Sequence, residues 1–165
     1  MEFTDKVRTY IFASLVAFVV IGLIVANVMA SKQDDNFAMN EALYNQAVQL
    51  QTDGNYEGAW EAISKVLKKT PKSEIANYLA AIIEANRGNV KQSANYMQKT
   101  LDINPYKAED GMFMIQLGEI FVAAERYEDA KIVLLRCQEW GWAPEEIPNY
   151  QEHVATLLAQ IENLQ

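Results

Sequence analysis

Two copies of one pattern, Gly54-Asn55-Tyr56 closing at Pro71 and Gly88-Asn89-Val90 closing at Pro105, stand 34 residues apart. Between each glycine and its proline, apolar residues recur at helical spacing: Ala59, Ile63, Val66 and Leu67 in the first copy, Ala94, Met97 and Leu101 in the second. Glycine admits the left-handed conformation that ends a helix, and proline lacks the amide donor needed to continue one. Each copy therefore predicts helix, turn at Gly-Asn, helix, stop at proline. One such hairpin cannot bury its own apolar face, so a fixed period of this length predicts an all-α array of stacked hairpins.

The apolar pattern extends on both sides of these copies. Ala42, Leu43, Ala47, Val48 and Leu50 predict a helix over 40–53 ahead of the first glycine, and Ile75, Tyr78, Leu79, Ile82 and Ile83 predict another over 73–87. Leu117-Gly118, Arg126-Tyr127-Glu128 and Ala130 form a third copy, shifted because Tyr56 and Val90 lie 34 residues apart whereas Val90 and Tyr127 lie 37 apart. The three extra residues must lengthen a turn or a helix, and Gly111 is the expected place. The pattern stops at Trp140-Gly141-Trp142-Ala143-Pro144. Beyond it Tyr150, Val154, Leu157, Leu158, Ile161 and Leu164 form one apolar stripe opposite Glu152, Gln160 and Glu162, which predicts a capping helix over about 146–164.

The N-terminal region has a different composition. Thr9 to Ser31 carries no charge, and 10–30 is almost wholly apolar. About 20 such residues at 1.5 Å each match a hydrocarbon core of roughly 30 Å, so 10–30 is expected to be a transmembrane helix between a short tail, 1–9, and a polar connector, 31–36. Lys6 and Arg8 precede the span while Asp34 and Asp35 follow it, which predicts a single-pass protein with a cytoplasmic N-terminus and the bulk of the chain on the outer side, periplasm-like if bacterial. Ala13, Ala17, Gly22, Ala26 and Ala30 are the small residues that would let another membrane helix approach. A cleaved signal peptide ending at Val28-Met29-Ala30 is the rival reading.

The repeated positions resemble the tetratricopeptide repeat family. With Asn40 as opening position, Leu43, Ala47, Gly54, Tyr56, Ala59, Ile63, Val66 and Pro71 fall where that family packs its hairpins. A second copy opens at Glu74 and matches through Ala81, Gly88, Met97 and Pro105, with Asn77 in place of the usual large residue and Ser93 in place of the usual alanine. A third opens at Gly111 and matches through Met114, Leu117, Gly118, Phe121, Tyr127, Ala130, Leu134 and Cys137, with Trp142 where the closing proline would stand. The resemblance implies a right-handed array of about three repeats, 40–73, 74–107 and 111–144, within a domain spanning 37–165. It also implies a concave groove lined by the first helix of each repeat. The groove positions are Glu41, Tyr44 and Val48, then Ile75, Tyr78 and Ile82, then Met112, Ile115 and Glu119. Some family members grip a terminal carboxylate with lysine and asparagine here. Tyr44, Tyr78 and Ile115 occupy the lysine place, so that specificity is not carried over, and the mostly apolar groove suits an amphipathic helix or extended hydrophobic segment, unless the capping helix or the N-terminal helix fills it.

The formal net charge is −8 and the pI about 4.7, which argues against nucleic acid, because phosphate binding needs clustered Lys and Arg. Cys137, the single cysteine, is expected to be buried, and His153, the single histidine, has no second ligand at helical spacing. Glu145 and Glu146 read as acids in the first turn of the capping helix. No set of nucleophile, base and acid can be assembled, no small-molecule substrate, metal or cofactor is expected, and the chain does not read as an enzyme. The expected function is a membrane-tethered adaptor, assembly factor or accessory subunit of a membrane protein complex. A chaperone-like protein, associated with a translocon or import machinery and holding incoming unfolded chains, is the alternative.

Overall fold

The computed structural model describes residues 5–164, with side chains described for 18–26 and 37–164. Among the described residues the chain is all-α, without strand, and it divides into two compact units, Met1–Ala42 and Leu43–Gln165.

The first unit holds most of α1 (Asp5–Thr52). Residues 31–36, expected as a connector, lie within the bounds of this helix. Side chains 18–26 are all exposed. Among the described residues no helix is long and apolar enough to cross a membrane. The expected single-pass membrane protein, with its cytoplasmic N-terminus and outer domain, is corrected on this finding. Of the small residues expected to pack membrane helices, Gly22 and Ala26 are exposed, and a Cβ built on Gly22 would meet nothing within 4 Å. The side chains of Ala13, Ala17, Ala30 and the cleavage positions 28–30 lie outside the described residues.

The second unit is a run of hairpins. The end of α1 pairs with α2 (Tyr56–Lys69), α3 (Glu74–Asn86) with α4 (Val90–Ile103), and α5 (Gly111–Ala123) with α6 (Tyr127–Glu139), before α7 (Tyr150–Leu164) packs on α6 and α5. Ala47, Ala59, Ile63, Ala76 and Ile83 build one apolar cluster, and Ala81, Met97, Phe113, Leu117, Leu134 and Ile161 belong to a second. Tyr96 of α4 touches both.

One hydrogen-bond pattern closes all three hairpins. The amides of Asn55, Asn89 and Arg126 each donate to the carbonyl five residues back, on Leu50, Glu84 and Phe121, at 2.8 Å in every case. Those of Gly54, Gly88 and Glu125 donate three residues back, to Gln51, Ala85 and Val122. Such closure requires a left-handed residue. Gly54 and Gly88 meet it at φ +76° and +79°, and Glu125 adopts φ +62° in the third turn without the freedom of glycine.

The three extra residues fall between the second and third hairpins. Residues 70–73 join α2 to α3, whereas 104–110 join α4 to α5 and contain a 3-10 helix, Pro105–Glu109. Pro105 starts that turn, and Asn104 caps it by accepting from the Tyr106 amide at 3.2 Å. Gly111 has another task. A Cβ there would lie 3.1 Å from Cγ of Trp142, so the absence of a side chain seats the tryptophan that replaces the closing proline.

The departures from the repeat pattern in the second hairpin are polar groups bonded to backbone. Asn77 is fully buried and its Nδ2 donates to the carbonyls of Ser73 and Pro71 at 2.6 and 3.1 Å, tying the linker to α3. Ser93 Oγ donates to the Ala81 carbonyl at 2.7 Å, locking α4 on α3. Asn77 Nδ2 and Ser93 Oγ are tolerated in the interior because they are bonded in this way, whereas Asn77 Oδ1 is buried with no hydrogen-bond partner among the described residues.

Candidate functional site

The face presented by α3 and α5 is built from residues one and two helical turns apart. On α3, Ile75 is 56% exposed, while Tyr78 and Ile82 are half-buried beside it. The Tyr78 hydroxyl donates to Gln116 Oε1 on α5 at 2.5 Å, and its ring packs on Phe113 with centroids 5.8 Å apart. Burial pushes the Tyr78 hydroxyl above its ordinary value, reinforced by Asp110 and opposed by Lys107 and the bond to Gln116. On α5, Met112 is half-buried and Glu119 exposed. Within α1, Tyr44 is half-buried against the first cluster and Val48 is 37% exposed. Glu41 is exposed and belongs to the other unit.

Ile115 behaves differently from its counterparts Tyr44 and Tyr78. It is 1% exposed and part of the second core cluster, together with Tyr150, Val154, Leu157 and Ile161 of α7. The capping helix is fastened by polar contacts as well. Tyr150 Oη donates to the Gly111 carbonyl at 2.8 Å, and Gln151 Nε2 donates to the carbonyls of Trp142 and Cys137. Burial pushes the Tyr150 hydroxyl far above its ordinary value, with Cys137 adding to the rise. The helix starts at Tyr150, so Glu145 and Glu146 stand in the turn before it and are exposed.

Two residues of this face were not among those expected from sequence. Gln116 lies one helical turn after Met112 and receives the Tyr78 hydroxyl. His153 of α7 meets Glu119 of α5, Nε2 to Oε1, at 2.6 Å. The signal that could have found the second is the period itself, because Glu119 and His153 are 34 residues apart.

The cations near this face are engaged. Lys107 Nζ lies 3.0 Å from Asp110 Oδ2 and 3.8 Å from Glu74 Oε1, and sits 6.0 Å from the Tyr78 ring centroid. The Asp110 bond holds the Lys107 ammonium above its ordinary range, against the opposing effect of burial. Asp110 also caps α5 by accepting from the Phe113 amide at 3.1 Å. Burial acts to raise its carboxyl, but the Phe113 amide and Lys107 outweigh that and set it below the ordinary value. Cys137 is fully buried, and burial pushes its thiol up. Among the described residues no three of His, Cys, Asp and Glu come together as a metal site.

Solved structures share this architecture. The chain is similar to the first TPR domain of human RPAP3, with a TM-score of 0.62 and 17% identity over 77% of this chain and 98% of that one. The fold is that of a tetratricopeptide repeat domain. The Yersinia enterocolitica type III secretion chaperone SycD, in complex with a peptide of the translocator YopD, matches this TPR fold with a TM-score of 0.60 at 15% identity, over 75% of this chain and 92% of that one. The TPR2B domain of yeast Sti1, in a complex with pHsp70, matches with a TM-score of 0.60 at 13% identity, over 78% of this chain and 99% of that one. No family model matches the sequence and no curated protein matches it.

Proposed function

We propose that this chain is a protein-interaction module that takes an apolar segment of a partner protein onto the face formed by α3 and α5, and acts as an adaptor, assembly factor or accessory subunit. The observation that carries this reading is the row Ile75, Tyr78, Ile82 and Met112, apolar side chains left wholly or partly in solvent on neighbouring hairpins. A partner helix laid there would remove them from water, worth about 1.5 to 3 kcal/mol for each large side chain fully covered. Helix-in-groove recognition works through apolar anchors of this spacing. TPR domains solved in complexes, SycD with a peptide of the translocator YopD and the TPR2B domain of Sti1 with pHsp70, support the same use of the fold.

A second reading, a chaperone that holds many clients, is favoured by SycD being itself a chaperone. Site-specific photo-crosslinking decides between them. A crosslinker at Ile75 should capture partner protein in a native extract, and Tyr78→Asp should lower that capture by about tenfold or more. One stoichiometric adduct identifies an adaptor, and a ladder of many identifies a chaperone. A crosslinker at Ile132, 70% exposed on the outer side of α6, serves as control. Capture at Ile132 with none at Ile75 would show that the binding face is elsewhere.

A further inference from the structure

The segment that fits this face has a sign of charge as well as an apolar stripe. The hydrogen-bond donors that could meet a carboxylate are occupied. Lys107 is held between Asp110 and Glu74, and the Tyr78 hydroxyl donates to Gln116. Arg87, on the loop after α3, is spent on Glu57 and Glu84 at 2.8 Å each. An acidic segment would lose water here and gain no unspent cation in return, a net cost. The opposite charge fares better. Among the described residues Glu119 pairs with no lysine or arginine, only with the His153 imidazole through Oε1, and keeps 44% of its side chain in solvent at the α7 end of the row; Glu152 is exposed one residue before His153, and the whole chain carries −8.

We infer that the partner segment is a cationic amphipathic helix, its apolar stripe on Ile75, Ile82 and Met112 and a lysine or arginine beside Glu119. This rests on the groove reading above and adds the partner's charge to it. The apolar contacts supply affinity, and Glu119 supplies orientation and selectivity. An exposed ion pair is weak, and exchanging a favourable charge for a repelling one should change affinity by about fivefold. The long field of the acidic chain also speeds the approach of a basic segment at low salt.

The test uses the full chain and two fluorescently labelled synthetic helices with one shared apolar stripe, ending in lysines or in glutamates, followed by anisotropy. The lysine peptide should bind about fivefold tighter, Glu119→Gln should reduce that preference to about twofold or less, and raised salt should do the same. Ile75→Ser and Ile82→Ser should weaken both peptides alike, and thermal melts of these variants separate lost contact from lost fold, Ile75 being the more exposed of the two. Equal binding of both peptides, tighter binding of the glutamate peptide, or a lysine preference that survives Glu119→Gln would overturn the charge inference and leave the groove standing. Binding of neither peptide, or binding unaffected by both serine variants in folded protein, would overturn the groove reading and this inference with it.

Discussion

Replacing Glu125 by glycine should make the protein more stable. Glu125 holds φ +62° in the turn between α5 and α6, the conformation that Gly54 and Gly88 supply in the two preceding hairpins. Its Cβ is crowded in that conformation, at a cost of roughly 1 to 2 kcal/mol for an L-residue. Glycine removes the cost but gives the unfolded chain more freedom, which takes back about 0.5 to 1 kcal/mol. The side chain is exposed, so little packing is lost. The net expectation is a gain of about 0.5 to 1 kcal/mol. Equilibrium urea unfolding of the full chain measures it as a raised midpoint at unchanged slope. The matched experiment is Gly88→Ala, where a Cβ would meet nothing within 4 Å, so that the whole loss, about 1 kcal/mol, is conformational. Asparagine at 125 should fall between glutamate and glycine, because it tolerates the left-handed region better than other non-glycine residues. If Glu125→Gly lowers the midpoint while Gly88→Ala also does, the shared hydrogen-bond closure does not imply a shared backbone strain and the reasoning fails.

Three other substitutions probe the packing. In Gly118→Ala the new Cβ would lie 2.7 Å from Cδ2 of the fully buried Leu134, so overpacking of about 1 to 3 kcal/mol should outweigh a gain of up to about 1 kcal/mol in helix propensity, and adding Leu134→Ala should cost less than the separate losses summed in a double-mutant cycle. Arg87→Ala leaves the carboxylate of Glu84, a residue 3% exposed, with only its bond to Asn89, and the melting temperature should drop by an amount equivalent to about 3 kcal/mol. Asp110→Ala should cost about 1 kcal/mol through the lost cap of α5, and because the folded carboxyl is set below its ordinary value, the difference from wild type should be full above pH ~4 and shrink as acid protonates it in the folded state, read as converging urea midpoints.

How far the chain could be read in advance depends on whether a residue's role is local or borrowed. The hairpins were legible because Gly54 and Gly88 show their backbone requirement in their identity, and because the apolar spacing repeats with them. The third turn has the same geometry under a glutamate, since the hydrogen bonds from Arg126 and Glu125 impose the conformation that the residue itself disfavours. Gly111 was read as the place of the three-residue excess, but the excess went into the 3-10 helix that Pro105 and Asn104 can start and cap, and Gly111 instead makes room for Trp142. The apolar run near the N-terminus illustrates the converse. Hydropathy alone points to a membrane span over 10–30, whereas among the described residues no helix is long and apolar enough to cross a membrane. At the candidate site the exposure of Ile75 and the half-burial of Ile82 agree with the positions that the repeat resemblance gives them. Gln116 and His153 needed a partner on another helix, and neighbours at helical spacing could not reveal it.

The way α7 joins the array decides how much of the proposed face stays open. It packs on α6 and α5 and carries His153 to Glu119, so it continues the stack as one more helix and covers the third hairpin. That coverage buries Ile115, and exposure along the face therefore falls from Ile75 through Tyr78 to Ile115. Stacking that protects the core of the last repeat takes Ile115 out of the proposed surface and leaves Met112 and Glu119 of α5 at its edge. What remains open centres on α3, whose 13 residues at 1.5 Å each give about 20 Å of helix. A partner segment of three to four turns spans that distance, about the length an amphipathic helix needs to present i, i+3, i+4 and i+7 anchors. The proposed face therefore has room for one short helical element, and on the charge inference Glu119 at its α7 end would set the direction in which that element lies.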